Sequence, residues 1–253
     1  MAYQTIIYKK EGHIATVQLK RPERLNAIDS VMPRELNAVF DEMERDPEAW
    51  ILILTGDDRA FSAGADIRED RPPAWLRGLN KLFNRIEAFE KPVIAAVSGF
   101  CLGGGLELAL CCDIIIAAET ALFGMAEMKI GAIPGAGGTQ RLPRVVGMLK
   151  AKELIYTGDP IDGKEAHRIG LVNKVVPPGQ VLEEARKLAL TLLDRPPLTM
   201  RTAKHCVNVG MQMALPAALE WAEARIAAQP PTKDAVEGRL AFREKRKPVW
   251  RGE

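Results

Sequence analysis

The sequence predicts an α/β fold, with buried parallel strands in its first half and a helical C-terminal region. Over that first half, short apolar runs of strand length alternate with segments of helical period, a pattern typical of parallel strands joined by helices. Near the C-terminus, amphipathic helical segments follow one another without an intervening strand. We therefore expect a core domain at 1–195 and a separate helical region at 196–253.

The first half contains regular strand and helix signals. Alternating residues in Tyr3–Tyr8 and His13–Lys20 predict two strands joined by a turn at Glu11-Gly12. Ser30 is expected to cap a helix whose apolar face is Val31, Leu36, Val39, Phe40 and Met43. Buried strands are predicted at Trp50–Thr55 and Pro92–Val97, a further strand at Asp113–Ala117 and a loop at Asp57–Asp66. Helices are predicted at Gly103–Leu110 and at Trp75–Phe89, the latter with Leu76, Leu79, Leu82, Phe83 and Ile86 inward.

The second half is mainly helical. We predict short helices at Thr139–Val146, Leu149–Tyr156 and Asp162–Ile169, a strand at Leu171–Val176, and longer helices at Val181–Leu193, Thr199–Met211, Leu215–Ala228 and Asp234–Phe242. The last three helices either pack on the protein's own core or form an oligomerisation element. The pattern alone leaves both possibilities open.

The composition excludes several classes of protein. The net charge of +2 indicates no strongly acidic or basic partner, and the basic cluster Arg243–Arg251 is most often a solvated face, so nucleic acid is not an expected ligand. The four cysteines have no metal-like spacing, so we expect reduced thiols and no metal. The N-terminus lacks a secretory apolar segment, and the run Leu106–Ala118 is shorter than the about 20 residues that span a bilayer. We expect a cytoplasmic protein without membrane partners.

Two glycine motifs do not fit nucleotide sites. Gly158–Glu165 is close to a phosphate-binding loop, but Glu165 replaces the hydroxyl that binds magnesium and the motif follows a helical segment. Gly103-Gly-Gly105 lacks the third glycine of a dinucleotide fingerprint, because Leu108 stands at that position. His13, His167 and His205 are isolated and form no pattern for a metal or a catalytic triad.

Two other glycine-rich segments are candidates for an active site. Ser62–Asp66 follows a buried strand, and Gly64 can adopt the positive φ that brings backbone close to a ligand, although a tight connection with Asp66 as an N-cap gives the same pattern. In Gly103–Glu107, glycines lower helix stability where a helix is predicted to begin. Free N–H groups at a helix N-terminus favour negative charge, so this segment is a natural half of an oxyanion hole.

Glu107 and Glu127 are the candidate catalytic carboxylates. Both have mainly apolar neighbours, and a carboxylate is costly to bury without a role. Two such groups with different pKa values can serve as acid and base. The alternatives are a solvent-facing Glu107 and a Glu127 that only caps a turn.

Motifs along nearly the whole chain resemble the enoyl-CoA hydratase (crotonase) superfamily. They are Arg21–Ala27, Phe61–Asp66, Lys91–Val97, Gly103–Glu107, Cys112–Ile114, Ile133–Arg141, Glu165-Ala166, Gly170–Val172 and Phe242–Pro248. The resemblance implies a crotonase-type spiral of repeated ββα units, with a C-terminal helical region that builds trimers, often paired into hexamers. It also implies an acyl-CoA substrate, without a separate cofactor because CoA is part of the substrate.

The resemblance assigns roles residue by residue. The N–H groups of Ala65 and Gly104 would bind the thioester oxygen, Glu107 would activate water and Glu127 would protonate Cα. Arg24, Leu25, Ala63, Asp66, Ile67 and Arg68 would contact CoA, while Phe242 and Lys245 would reach the CoA of a neighbouring subunit. One departure is Ala126, which stands where the family often has proline.

The glutamate pair favours reversible hydration of 2-enoyl-CoA to 3-hydroxyacyl-CoA, as in fatty acid β-oxidation. Mainly isomerising members commonly keep only the glutamate matching Glu127. An isomerase or a specialised acyl-CoA dehydratase is the alternative, and a non-catalytic RNA-binding member is a more distant one.

Overall fold

The computed structural model describes residues 3–70 and 72–253 and contains two sheets surrounded by helices. The strands are β1 (Ile6–Glu11), β2 (Ile14–Leu19), β3 (Ile51–Thr55), β4 (Ala60–Ser62), β5 (Val93–Val97), β6 (Phe100–Leu102), β7 (Ile114–Ala118), β8 (Leu122–Gly124), β9 (Ile161–Asp162) and β10 (Lys174–Val176). The helices are α1 (Met32–Arg45), α2 (Pro73–Ala88), α3 (Gly104–Ala109), α4 (Gly138–Val146), α5 (Met148–Thr157), α6 (Gly163–Arg168), α7 (Val181–Leu193), α8 (Pro197–Gly210), α9 (Leu215–Ala227) and α10 (Lys233–Glu244). Within these ranges, no helix is long and apolar enough to cross a membrane.

The chain winds between the two sheets in repeated turns. The larger sheet has the order β1-β2-β3-β5-β7-β10 and the smaller one the order β4-β6-β8-β9. Successive strand pairs β3-β4, β5-β6 and β7-β8 each place one strand in each sheet, and α2 and α3 follow the first two pairs. From β2 to β10 the larger sheet is entirely parallel, whereas β1 pairs antiparallel with β2. The predicted α/β class and the spiral of ββα units are confirmed.

The central strands are apolar throughout because both of their faces are covered. Every residue of β3 and of β5 is buried. Helix α7 packs against β3, β5 and β7, and it buries Val181, Ala185 and Ala189. Small alanines on that face let the helix approach the sheet closely, which fixes the larger sheet as a rigid support for the loops that follow its strands.

The structure corrects the start of the first helix. The predicted cap, Ser30, is exposed, and its side chain is not the group that caps α1. Instead, Oδ1 of Asp29 accepts hydrogen bonds from the N–H groups of Val31 (2.9 Å) and Met32 (2.8 Å). Val31 lies outside the helix, and Met32 takes the buried position predicted for it. The buried carboxylate of Asp29 is held in place for this role because it also pairs with Nε of Arg21 at 3.2 Å.

The smaller sheet was not predicted. The loop expected at Asp57–Asp66 contains β4, and β6 and β8 were missed, because each of these strands has only three residues and shows no measurable alternation. The strand expected at Leu171–Val176 is confined to β10. Leu76, predicted to face inward from α2, is 41% exposed and borders a cavity instead.

The C-terminal helices differ in how they contact the rest of the chain. Nζ of Lys204 on α8 pairs with Asp113 at 2.8 Å, and the amide of Asn208 donates to the carbonyl oxygen of Glu87 at 3.0 Å. In contrast, α9 buries none of its residues. Large apolar side chains of this region are exposed in the single chain: Val207, Met211, Leu215, Leu219 and Ile226.

Candidate active site

A cavity of about 590 Å³ brings the predicted site residues together. Its lining includes ten of the twelve residues that the sequence singled out: Arg24, Leu25, Ala63, Ala65, Asp66, Ile67, Arg68, Gly104, Glu107 and Glu127. The other two, Phe242 and Lys245, lie at the end of α10 and are not part of this lining. Within one chain they therefore belong to a different surface, where Phe242 is 86% exposed.

The two glycine-rich segments pack directly against each other. Gly64 has φ of +95°, and a Cβ atom there would lie 3.0 Å from the nitrogen of Gly104 and 2.7 Å from the carbonyl oxygen of Leu102. A Cβ atom on Gly104 would in turn lie 3.3 Å from the nitrogen of Ala65. Glycine is therefore required at position 64 by both conformation and space, and its absence of a side chain brings the Ala65 and Gly104 amides together.

Both of these amides are available to a ligand. The N–H of Ile28 donates to the carbonyl of Gly64 (2.7 Å), and the N–H of Asp66 donates to the carbonyl of Ile28 (2.9 Å). In this parallel bridge the N–H of Ala65 points away from Ile28. Gly104 opens α3, so its N–H has no acceptor within the helix. Among the described residues neither N–H has a hydrogen-bond acceptor, and together they can bind one oxygen.

Glu107 is a buried carboxylate held by two backbone amides. Its side chain is on α3, and the residue is 3% exposed, which excludes the solvent-facing alternative. Oε1 accepts hydrogen bonds from the N–H groups of Ala136 (2.7 Å) and Gly138 (2.8 Å). Burial raises the pKa of Glu107 to about 7, and the nearby charge of Glu127 contributes in the same direction, while the two amides oppose the rise. A carboxylate with this pKa can exchange protons near neutral pH.

Glu127 faces the same cavity from a short 3-10 turn, Ala126–Ile130. Its Oε2 is buried and has no hydrogen-bond partner among the described residues. Burial raises the pKa of Glu127, and a hydrogen bond to its own backbone opposes the rise. A Cβ atom on Gly103 would lie 2.9 Å from Oε1 of Glu127, so the glycine makes room for this carboxyl. Its raised pKa and its unpartnered oxygen make Glu127 a second carboxyl group of the cavity that can exchange a proton with a ligand.

Internal hydrogen bonds fix the wall of the cavity that contains Arg24 and Leu25. Leu25 has φ of +49° and its carbonyl accepts from the N–H of Ala63 at 2.9 Å. The fully buried amide of Asn26 donates to Asp57 (3.0 Å) and to the carbonyl of Ala60 (2.8 Å). This loop is thus tied to the strand that precedes Ser62–Asp66.

Asp66 is paired within the protein as well as lining the cavity. Its Oδ2 lies 3.0 Å from Nη2 of Arg21, and its Oδ1 accepts from the N–H of Arg68 at 3.2 Å. It does not cap α2, which begins at Pro73, so the N-cap interpretation is wrong. Its contacts instead hold the start of the Ile67-Arg68 turn, where both residues are exposed.

Sequence reasoning missed the residues that hold Glu107. Ala136 and Gly138 lie in Ile133–Arg141, which was noticed only as a motif of the resemblance. Glycine is required at position 138 because a Cβ atom there would lie 3.0 Å from Oε1 of Glu107 and 2.8 Å from Cε of Met125. The density of glycines in this segment was the one available signal of close approach.

Comparisons with known proteins identify the family of the chain. The family model for enoyl-CoA hydratase/isomerase matches residues 9–253. A short-chain-enoyl-CoA hydratase of Clostridium acetobutylicum is 43% identical over 98% of this chain and 97% of that protein. A crotonyl-CoA hydratase of Syntrophomonas wolfei is 44% identical over 98% of each chain. The crystal structure of an enoyl-CoA hydratase from Bacillus anthracis superposes with a TM-score of 0.95 at 37% identity, over 99% of this chain and 100% of that one.

The α/β spiral has a cavity in which the carboxyl groups of Glu107 and Glu127 lie with two free amides. This arrangement defines a class of enzyme suited to acid and base chemistry beside an oxygen that the amides can bind. The chain belongs to the enoyl-CoA hydratase/isomerase family. The resemblance to the crotonase superfamily is confirmed.

Proposed function

We propose that this protein catalyses the reversible hydration of 2-enoyl-CoA thioesters to 3-hydroxyacyl-CoA. The observation that carries the proposal is the presence of Glu107 and Glu127 in one cavity with the unpaired amides of Ala65 and Gly104. The printed names of the relatives from Clostridium acetobutylicum and Syntrophomonas wolfei, both hydratases, point in the same direction.

The two amides act as an oxyanion hole. Attack of water on Cβ of a 2-enoyl thioester moves negative charge onto the thioester oxygen. The N–H groups of Ala65 and Gly104 donate to that oxygen and stabilise the charge where it develops. Loss of one donor of this kind typically lowers kcat by about 10²–10³.

The two glutamates divide the proton transfers. Glu107 in its ionised form takes a proton from the water as the water oxygen bonds to Cβ, and its two backbone donors stabilise that form. Glu127, with its raised pKa and its unpartnered Oε2, donates a proton to Cα. Transfer of one proton from Glu107 back to Glu127 restores the enzyme, so that the net addition is one water molecule.

The proposal extends to CoA and to the assembly. Arg24, Leu25, Ala63, Ile67 and Arg68 line the mouth of the cavity with basic, apolar and backbone groups suited to an adenine nucleotide chain. CoA belongs to the substrate, and no separate cofactor is proposed. Exposed apolar residues on α8 and α9 support trimers or hexamers built by the region 196–253, in which Phe242 and Lys245 would meet a neighbour's CoA. The cytoplasmic location and a role in β-oxidation stay predictions.

A substrate panel tests the proposed reaction. Purified protein is mixed with 2-enoyl-CoA esters of increasing chain length, beginning with crotonyl-CoA, and the loss of enoyl-thioester absorbance is followed. We expect hydration, with a 3-hydroxyacyl-CoA identified by mass and NMR. A product of unchanged mass with a moved double bond would instead make the enzyme an isomerase. Normal CoA binding without turnover of any enoyl-CoA would refute an enoyl-CoA reaction altogether.

A further inference from the structure

Arg141 is a largely buried cation that joins three parts of the molecule. Its side chain is 11% exposed and extends from α4. Nη2 and Nε donate to Oε2 of Glu87 at 2.7 Å and 3.1 Å, and Nη2 also donates to the side chain of Asn84 at 2.7 Å. Nη1 donates to the carbonyl oxygen of Ala136 at 3.1 Å. The guanidinium therefore fixes the segment at Ala136 to α2.

The same segment holds Glu107. Ala136 accepts from Arg141 through its carbonyl oxygen and donates to Oε1 of Glu107 through its N–H (2.7 Å). The second donor, Gly138, follows Gly137, whose carbonyl accepts from the N–H of Arg141 at 2.8 Å. Gly137 has φ of +105°, and a Cβ atom there would lie only 2.0 Å from Nη1 of Arg141. The positive φ of Gly137 and its lack of a side chain thus allow the guanidinium to lie close to the loop.

We propose that Arg141 is a positioning residue, which holds the amides of Ala136 and Gly138 on Oε1 of Glu107 and keeps that carboxyl able to ionise as the base. The catalytic consequence rests on the proposed function, whereas the effect on the Glu107 carboxyl does not. Glu87 aligns the guanidinium, since two of the donor nitrogens of Arg141 converge on its Oε2.

The charged groups around Glu107 indicate how the loss of Arg141 should change the pKa of Glu107. Arg141 on α4 lowers the pKa of Glu107, while Glu127 on the 3-10 turn raises it. Glu87 on α2 is paired with Arg141, and Cys111 beyond α3 is neutral at ordinary pH because burial raises its pKa to about 12. The remaining charged groups that line the cavity are Glu23, Arg24, Asp66 and Arg68. Removal of the guanidinium therefore deletes a cation that lowers the pKa of Glu107, and it loosens two amides that stabilise the ionised carboxylate. Both changes raise the pKa of Glu107.

The variant Arg141→Gln tests the proposal, with Arg85→Gln as the matched control. Arg85, on α2, is likewise paired with carboxylates, since its Nη2 lies 2.6 Å from Asp41 and 3.0 Å from Glu44. Both partners are on α1, away from the cavity. Arg141→Lys is a second variant that keeps the charge but not the forked geometry. The Glu107 carboxyl is titrated by NMR in protein labelled with ¹³C at the glutamate side-chain carboxyl, and its signal is assigned by its loss in Glu107→Gln.

We expect Arg141→Gln to raise the midpoint of the Glu107 titration by about one pH unit. On crotonyl-CoA, kcat should fall by about 10- to 100-fold with little change in KM, and the acidic limb of the pH profile should move up by the same amount. In Arg141→Lys the midpoint of the Glu107 titration should stay close to that of the wild type, and part of kcat should remain. Arg85→Gln should match the wild type in both quantities.

An unmoved Glu107 titration in Arg141→Gln, or a rate loss that is equal at every pH, would overturn the proposal. The titration needs no substrate. Absence of hydration in the wild type would therefore count against the proposed function alone, while the NMR result would still decide the role of Arg141.

Discussion

The buried carboxyl of Glu107 should make the stability of the fold depend on pH. In the unfolded chain this group ionises near its ordinary pKa of 4.5, whereas burial raises its pKa in the folded protein to about 7. Between these two values the unfolded state has released the proton and the folded state has kept it, so stability falls as the pH rises. One pKa unit corresponds to about 1.4 kcal/mol, and the full loss above pH 7 is therefore about 3 kcal/mol.

Glu107→Gln removes this dependence. The amide oxygen of glutamine can still accept from Ala136 and Gly138, but the side chain carries no charge at any pH. We expect the variant to gain between about 2 and 3 kcal/mol over the wild type on going from pH 5 to pH 8. The assay is the free energy of unfolding from urea titrations, with all variants measured at the same protein concentration.

Glu153→Gln is the control, since the Glu153 side chain is 60% exposed on α5. Its difference from the wild type should be the same at both pH values. The reasoning would be refuted if Glu107→Gln showed that same flat behaviour, or if it were the less stable protein at pH 8.

Two further pairs of substitutions, each a test with its control, examine local geometry. Gly103 has φ of +51°, and a methyl group there would lie 2.9 Å from Oε1 of Glu127, so Gly103→Ala should lower kcat for hydration by more than about tenfold. Gly147→Ala, with φ of +81° and open space around it, shares the backbone strain and should keep its activity; equal losses in both variants would contradict the steric argument. Asp29→Ala removes the cap of α1 and a partner of Arg21, and should lower the free energy of unfolding by about 2 kcal/mol. Ser30→Ala should change the free energy of unfolding by less than about 0.5 kcal/mol. A larger loss in Ser30→Ala than in Asp29→Ala would show that Ser30 is the cap after all.

The parts of the fold that could be predicted are those with a long repeating pattern. The buried strands β3 and β5 and the helices α1 and α2 each contain enough apolar positions for the period to be recognised. The strands of the smaller sheet have too few residues for any period, and they are fixed by pairing with strands distant in the chain. Asp29 was missed as the cap because its partner Arg21 is visible only in three dimensions.

The residues of the candidate site also divide into those that the local sequence reveals and those that it does not. Glu107 was recognisable because apolar residues surround it locally. Gly64 was recognisable because glycine can adopt a positive φ, and Gly103 because glycines lower the stability of a helix that begins there. The donors of Glu107 could not be found from spacing, since Ala136 and Gly138 lie 29 and 31 residues along the chain. Arg141 is harder still to predict from the sequence, because it contacts the Ala136 peptide and not Glu107 itself.

The central claim is that Glu107 and Glu127 carry out the hydration together. The most direct test is the initial rate of crotonyl-CoA hydration by the wild type, Glu107→Gln, Glu127→Gln and the double variant, with CoA binding measured in parallel. Each single variant should lose about 10²-fold or more in kcat with CoA still bound, and the double variant should be little worse, because the two groups serve one reaction. Wild-type kcat in either single variant would contradict the claim.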